Sequence, residues 1–210
     1  MCIRDSHYVK FYGATASTAT IDLLVARTGA GMEIDGATDY HVQGHGGVAA
    51  LTFDSSLGDV ELNVLAGDHV FGLPVSADSN TSINLSSGTS LILDGVLGFS
   101  GVEVTKNGTG TLIIQGGTSS GSGSLGVTEG TLIATGDIDS DLLVTGGQFV
   151  PKDGIGRVDI KGDFAVGPSA SMKLEIAGTG SSNHDFLVID STANLAGTLE
   201  IELLNGYQPS

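Results

Sequence analysis

The chain has 210 residues, of which 33 are Gly, none is Trp and only 5% are aromatic, yet 40% are hydrophobic. Eight Lys and Arg against 24 Asp and Glu give a formal net charge of −16, which excludes nucleic acid and anionic membrane surfaces as partners because no basic patch exists to displace counterions. Small aliphatics with so much Gly, and no collagen triplet, suit a thin stacked structure better than a thick globule.

Met1-Cys-Ile-Arg-Asp-Ser6 resembles the in-frame translation of a transposon-type sequencing adapter, so residues 1–6 are set apart from the fold. Without Cys2 there is no cysteine, and disulfide or Cys-based chemistry drops out. No apolar run approaches the roughly 20 residues that span a bilayer.

From there, residues 7–210 read as one chain of short strands between Gly turns. Thr20-Ile-Asp-Leu-Leu-Val-Ala26 places Ile21, Leu23 and Val25 on one face, and Met32–Ile34 and Tyr40–Val42 follow as short strands. Gly44-His-Gly-Gly47 is a break. Val60, Leu62 and Val64 alternate with Glu61 and Asn63. Strands follow at His69–Val75, Thr81–Leu85 and Gly88–Leu93.

The motif that organises the chain is Gly-Thr-Leu-Ile, which begins at Gly110 and returns at Gly130. Aligning the inward residue of each Gly/Thr strand gives Leu91, Leu112, Leu132 and Phe149, in steps of 21, 20 and 17. Leu125-Gly-Val-Thr matches Leu142-Leu-Val-Thr at the same offset of 17. Such a period is the mark of a coil stacked on its own copy. Later strands at Arg157–Lys161, Ser171–Ile176 and Gly197–Leu203 keep the alternation, and no helical period is sustained. The expected fold is therefore all-β, a right-handed parallel β-helix of about ten coils, with Leu on Leu inside, Thr on Thr outside and Gly at the corners. The competing fold is an antiparallel β-sandwich, favoured by the hairpin signal Asn107-Gly108.

Val104-Thr-Lys-Asn-Gly-Thr-Gly-Thr-Leu-Ile-Ile-Gln-Gly117, a small-residue spacer and Val127-Thr-Glu-Gly-Thr-Leu-Ile133 resemble the autotransporter-associated β-strand repeat, over residues 101–134. Residues 162–210 are similar to the distal end of the same passenger regions, and both ends look cut. The resemblance implies a non-enzymatic stalk or adhesin-like passenger, secreted or displayed at the cell surface in association with the outer membrane. It also implies a membrane barrel or sorting tail in a missing C-terminal part, and export helped by progressive folding. Open terminal coils would let copies self-associate. Polysaccharides or other surface ligands are the expected partners.

Candidate chemistry is sparse. His41 and His45 lie four residues apart, about 13 Å along a strand, too far to share an ion with Asp39 unless the chain turns at Gly44. Asp137-Ile-Asp-Ser-Asp141 opens like a calcium loop, but Leu142 and Gln148 stand where an EF-hand needs Gly and Glu. His184-Asp185 is an adjacent acid–His pair, and Glu61, Glu103, Glu175, Glu200 and Glu202 fall at outward positions that serve solubility. Gly110 and Gly116-Gly117 precede no helix, so they form no phosphate loop. No catalytic, metal or cofactor residue is assigned. The alternatives are a polysaccharide-degrading β-helix enzyme and a carbohydrate-binding module.

Overall fold

A computed structural model describes residues 8–12, 18–47, 49–56, 58–99, 101–119 and 122–209; residues 1–6, read above as an adapter sequence, lie outside them. The chain is a parallel β-solenoid. Almost every strand pairs in parallel with the strand one coil earlier and one coil later, and among the described residues the single 3-10 turn is His45–Gly47. Nine coils stack among the described residues rather than the ten expected from an even period, because two coils carry insertions. At the spacing of paired strands the stack is about 40 Å long.

Each coil has three sides. The first side runs from Tyr8–Tyr12 through Gly31–Asp35, Val60–Val64, Thr81–Leu85 and Glu103–Asn107 to Ser124–Val127 and beyond. Thr18–Leu23, Asp39–Gly44, Asp68–Gly72, Ser90–Leu93, Thr111–Ile114 and Thr131–Ala134 build the second. Arg27–Gly29, Leu51–Phe53, Val75–Ala77 and Leu97–Phe99 form the third. It continues through single bridges at Thr118 and Ile138 to Arg157–Ile160 and Phe186–Ile189.

The Gly-Thr-Leu-Ile returns set the register directly. Thr111 lies over Thr131 and Leu112 over Leu132; Leu91 precedes Leu112 in the column and Phe149 follows Leu132. Leu125 pairs with Leu142 as the offset of 17 requires. All of these inward Leu and Phe side chains are fully buried. Each contributes about 1.5–3 kcal/mol of apolar burial, and because the sites cannot collapse independently, truncating one strands its column neighbours. The outward positions form ladders instead. Asn84 Nδ2 donates to Asn63 Oδ1 at 2.7 Å, Asn107 Nδ2 donates to Asn84 Oδ1 at 3.1 Å, and Thr128 Oγ1 closes the run on Asn107 Oδ1 at 2.6 Å.

Several expectations change in the structure. Asn107-Gly108 is a corner between the first and second sides, not a hairpin, since the strands on either side of it each pair in parallel with other coils. His69–Val75 is two strands, Asp68–Gly72 and Val75–Ala77, bent at the corner between the second and third sides. Val25 lies past the end of Thr18–Leu23 and is exposed, so it does not share the inward face of Ile21 and Leu23. Ser171–Ile176 is the second half of a continuous strand, Phe164–Ile176, which with Asp141–Pro151 runs straight through the corner between the first two sides. A register shift between Val144 and Gly146 takes up the extra residue there, and Gly146 packs directly against the Thr128 carbonyl, leaving no room for a Cβ.

Candidate functional site

Two buried polar groups interrupt the apolar columns. Lys106 occupies an inward position between Ile83 and Val127 and is completely buried. Its ammonium turns to the corner and donates to the carbonyls of Asn107 at 3.1 Å and Gly108 at 2.5 Å. Burial lowers its pKa to about 8, against the pull of Glu129. His69, also fully buried, stacks on Tyr40 with ring centroids 5.7 Å apart. The Tyr40 N–H donates to Nδ1 at 3.0 Å, which makes Nε2 the protonated nitrogen, donating to the Ala66 carbonyl at 2.8 Å. Burial lowers the His69 pKa although Asp39 and Asp68 oppose it. Both groups are satisfied by backbone, and neither faces a cleft.

A region that combines a cavity with titratable groups lies at the eighth coil. After Phe164–Ile176 the chain makes an excursion, and Ile176 and His184 form an antiparallel bridge within it. Asp185 pins this strap. Its Oδ1 accepts the Gly156 N–H at 2.9 Å and its Oδ2 accepts the Glu175 N–H at 2.8 Å, while its own N–H donates to the Glu175 carbonyl at 2.9 Å. Asp185 is buried, and burial raises its pKa, with the nearby Glu175 charge adding to the effect.

Glu175 is the main correction to the sequence reading. Alternation puts it outward, as expected, but the strap covers it to 5% exposure, so it does not serve solubility. Its Oε1 pairs with Lys173 at 3.1 Å, Lys173 pairs with Glu202 at 2.6 Å, and Oε2 has no hydrogen-bond partner. The other outward acids, Glu61, Glu103, Glu200 and Glu202, are exposed.

Between the strap and the Ile155–Arg157 turn is an open cleft of about 430 Å³ lined by Ile155, Gly156, Arg157, Ser181, Ser182, His184 and Phe186. The Arg157 guanidinium lies 5.6 Å from the Phe186 ring centre and is fixed by Asp159, which accepts from Nε at 2.6 Å and from Nη2 at 2.8 Å. The His184 ring lies 6.4 Å from that of Phe186, and its Nδ1 is bonded to the Asp185 carbonyl at 2.9 Å, which leaves Nε2 as an acceptor. Phe186 itself is half exposed. The Lys152 chain crosses Gly156, with Nζ 2.9 Å from where a Gly156 Cβ would stand.

The sequence singled out His184-Asp185 within this cluster only as an acid–His pair; the structure makes Asp185 the anchor of the strap. Lys152, Arg157 and Phe186 were not singled out. A signal for them exists: three of the eight Lys and Arg fall within residues 152–161.

The other candidate residues are engaged in stacking. Asp39 Oδ1 accepts the Asp68 N–H at 2.8 Å, and the His41 ring packs against Gly72. His45 sits in the 3-10 turn, past the end of the strand that carries His41. Asp137 and Asp141, the arms of the calcium-like sequence, accept the N–H groups of Asp159 and Asp163 in the next coil at 3.2 and 2.8 Å. Asp139 donates its N–H to Thr118 Oγ1 at 2.7 Å. Among the described residues no three His, Cys, Asp or Glu side chains gather in a metal-binding group. The carboxylates that resemble ligands in the sequence are corner caps.

The fold defines a parallel β-solenoid with a side cleft. No family model matches the chain, and no curated protein or solved structure matches it either.

Proposed function

We propose that this chain is a structural stalk segment of a secreted or surface-displayed bacterial protein, autotransporter-like in its passenger, and that it does no chemistry of its own. The observation that supports the reading is the parallel register of the stack, which shifts once, between Val144 and Gly146. On the first two sides each coil presents a ladder of backbone donors and acceptors, plus an apolar column, to the coil that follows. A chain delivered end first can therefore fold one coil at a time, each new coil docking on a finished template. This step-by-step gain opposes back-sliding of an exported chain. Adhesion, where it occurs, uses the side of the rod.

The test is to place residues 7–210 between a secretion signal and a membrane barrel in a Gram-negative host. Surface exposure of the intact segment is compared with that of a Gly130→Asp and Gly146→Asp double variant. The reading expects the parent to reach the surface in a protease-resistant form and the variant to stall. Equal display of the two would contradict it. Incubation of the purified chain with pectin or alginate gives no new reducing or unsaturated ends on this reading, and their appearance would install the enzyme alternative.

A second reading has one specific observation in its favour: the cleft beside Phe186 gives the rod a place to hold a ligand.

A further inference from the structure

We propose that the cleft between the 177–185 strap and the Ile155–Arg157 turn binds a sugar unit carrying a carboxylate, with Lys152 and Arg157 taking the acid group and Phe186 the ring. The inference goes beyond the stalk reading and stands apart from it, since a rod can carry a ligand site or lack one.

Charge comes first. On a chain of net charge −16, cations are the scarce resource, and three lie within ten residues here. Two of them are already matched locally: Arg157 by Asp159, and Lys161 by Asp190 at 3.1 Å and Asp159 at 3.9 Å. Lys152 makes no ion pair among the described residues, and its side chain lies across Gly156, which lines the cleft, without itself being a lining residue. Asp159 occupies Nε and Nη2 of Arg157, which leaves Nη1 for a ligand and holds the guanidinium in place before anything binds. An anionic group at this spot meets one unpaired ammonium and one pre-oriented guanidinium.

Shape and polarity then separate a sugar from a bare anion. About 430 Å³ is within the usual range for a small-molecule site and far larger than one carboxylate or phosphate requires. Phe186, half exposed, and Ile155 offer apolar surface to the C–H face of a pyranose. Ser181 and Ser182 provide hydroxyls that donate and accept, and His184 Nε2 provides an acceptor. That mixture answers a ring bearing several hydroxyls and one acid group. The strap that forms one wall is held by backbone bonds to Asp185, so the wall is built rather than incidental.

The experiment is a titration of the 210-residue chain with trigalacturonate, its neutral galactose counterpart and inorganic phosphate, followed by calorimetry and by amide NMR of Gly156 and Phe186. Saturable binding of trigalacturonate is expected, at least about tenfold tighter than either the neutral trisaccharide or phosphate. Lys152→Gln and Phe186→Ala are each expected to weaken it about tenfold, with unchanged thermal melting. Equal affinity for the neutral sugar would remove the role of Lys152 and Arg157. Phosphate binding as tightly, with Phe186→Ala silent, would reduce the cleft to a simple anion site. No saturable binding by the folded parent would overturn the proposal.

Discussion

A Cβ on Gly130 would stand 2.7 Å from the Lys106 ammonium, and closer still to the carbonyls of Gly108 and Gly110 in the preceding coil. Lys and Gly, 24 positions apart in the chain, thus occupy one corner of the stack. The ammonium fills the space beneath, and the missing side chain lets the next coil come down on it. Gly130 also has a φ of +67°, the left-handed region that costs an L-residue about 1–2 kcal/mol. Gly130→Ala is therefore expected to destabilise the chain by at least about 2 kcal/mol in urea unfolding. Lys106→Met does not rescue it, because the remaining obstacles are backbone carbonyls. Rescue would show that the ammonium alone sets the fit.

Lys106 carries its own pH signature. Its pKa is about 8 in the fold against 10.5 for the free side chain, so between those values the unfolded chain holds a proton that the folded chain has lost. Raising the pH through this window favours folding. Relative to Lys106→Met, the parent is expected to gain up to about 3 kcal/mol between pH 8 and 10.5, measured by denaturant titration at several pH values. Below pH 8 the parent pays the full cost of a buried charge, in part offset by the two carbonyl bonds.

His69 runs in the acid direction. Its folded pKa lies below the ordinary 6.5, so the stability it contributes is fully present above 6.5 and is lost as pH falls through that value toward the folded pKa. His69→Leu, which copies the next residue in the column, removes the acceptor of the Tyr40 N–H and the donor to the Ala66 carbonyl and is expected to cost about 1–3 kcal/mol at pH 7.5. By pH 5 the gap between parent and variant narrows. A gap that stays constant with pH would mean that His69 does not titrate between the folded and unfolded chains.

Asp185→Ala removes the acceptor of two N–H groups at once. Faster hydrogen exchange is expected at Gly156, Glu175 and the strap, with little change at Leu132 and Leu112, two and three coils away. Uniformly faster exchange would show that the strap is part of the global unit rather than a local one.

The last coil bears on association. Leu199, Ile201 and Leu203 lie in its strand and are 43–55% exposed. Thr198-Leu-Glu-Ile-Glu-Leu203 alternates in the same phase as Thr18-Ala-Thr-Ile-Asp-Leu23 in the first coil, so the two end strands can pair in register between copies. The 210-residue chain is expected to associate in a concentration-dependent way in sedimentation velocity. Ile201→Lys is expected to shift it toward monomer, and a parent that stays monomeric at millimolar concentration would contradict the head-to-tail pairing.

What the sequence revealed about this fold, it revealed through local repetition. Gly110 and Gly130 open identical four-residue strings, and a string that returns in register reports its own stacking partner. The offset of 17 from Leu125 to Leu142 even anticipated the coil that is three residues short. Contacts between dissimilar residues left no such trace. Tyr40 over His69 and Ile83 over Lys106 join a polar side chain to an unlike neighbour, and alternation alone does not say that a Lys in a strand points inward. Glu175 was assigned to the correct face, but its burial depends on a strap that bonds back to it from Asp185, ten residues on. The cleft was illegible for the same reason, since Lys152 reaches Gly156 only through the turn between them, and Phe186 arrives one coil later.

The most direct test of the stacked register uses cysteine pairs on the outward column Ser90, Thr111 and Thr131, in a chain with Cys2 replaced by Ser. Neighbouring coils put paired Cα atoms about 5 Å apart and second neighbours about 10 Å apart. Thr111→Cys with Thr131→Cys, and Ser90→Cys with Thr111→Cys, are expected to oxidise to an intramolecular disulfide in the native chain, while Ser90→Cys with Thr131→Cys stays reduced. Failure of both neighbouring pairs, or ready closure of the distant one, would contradict the parallel stack.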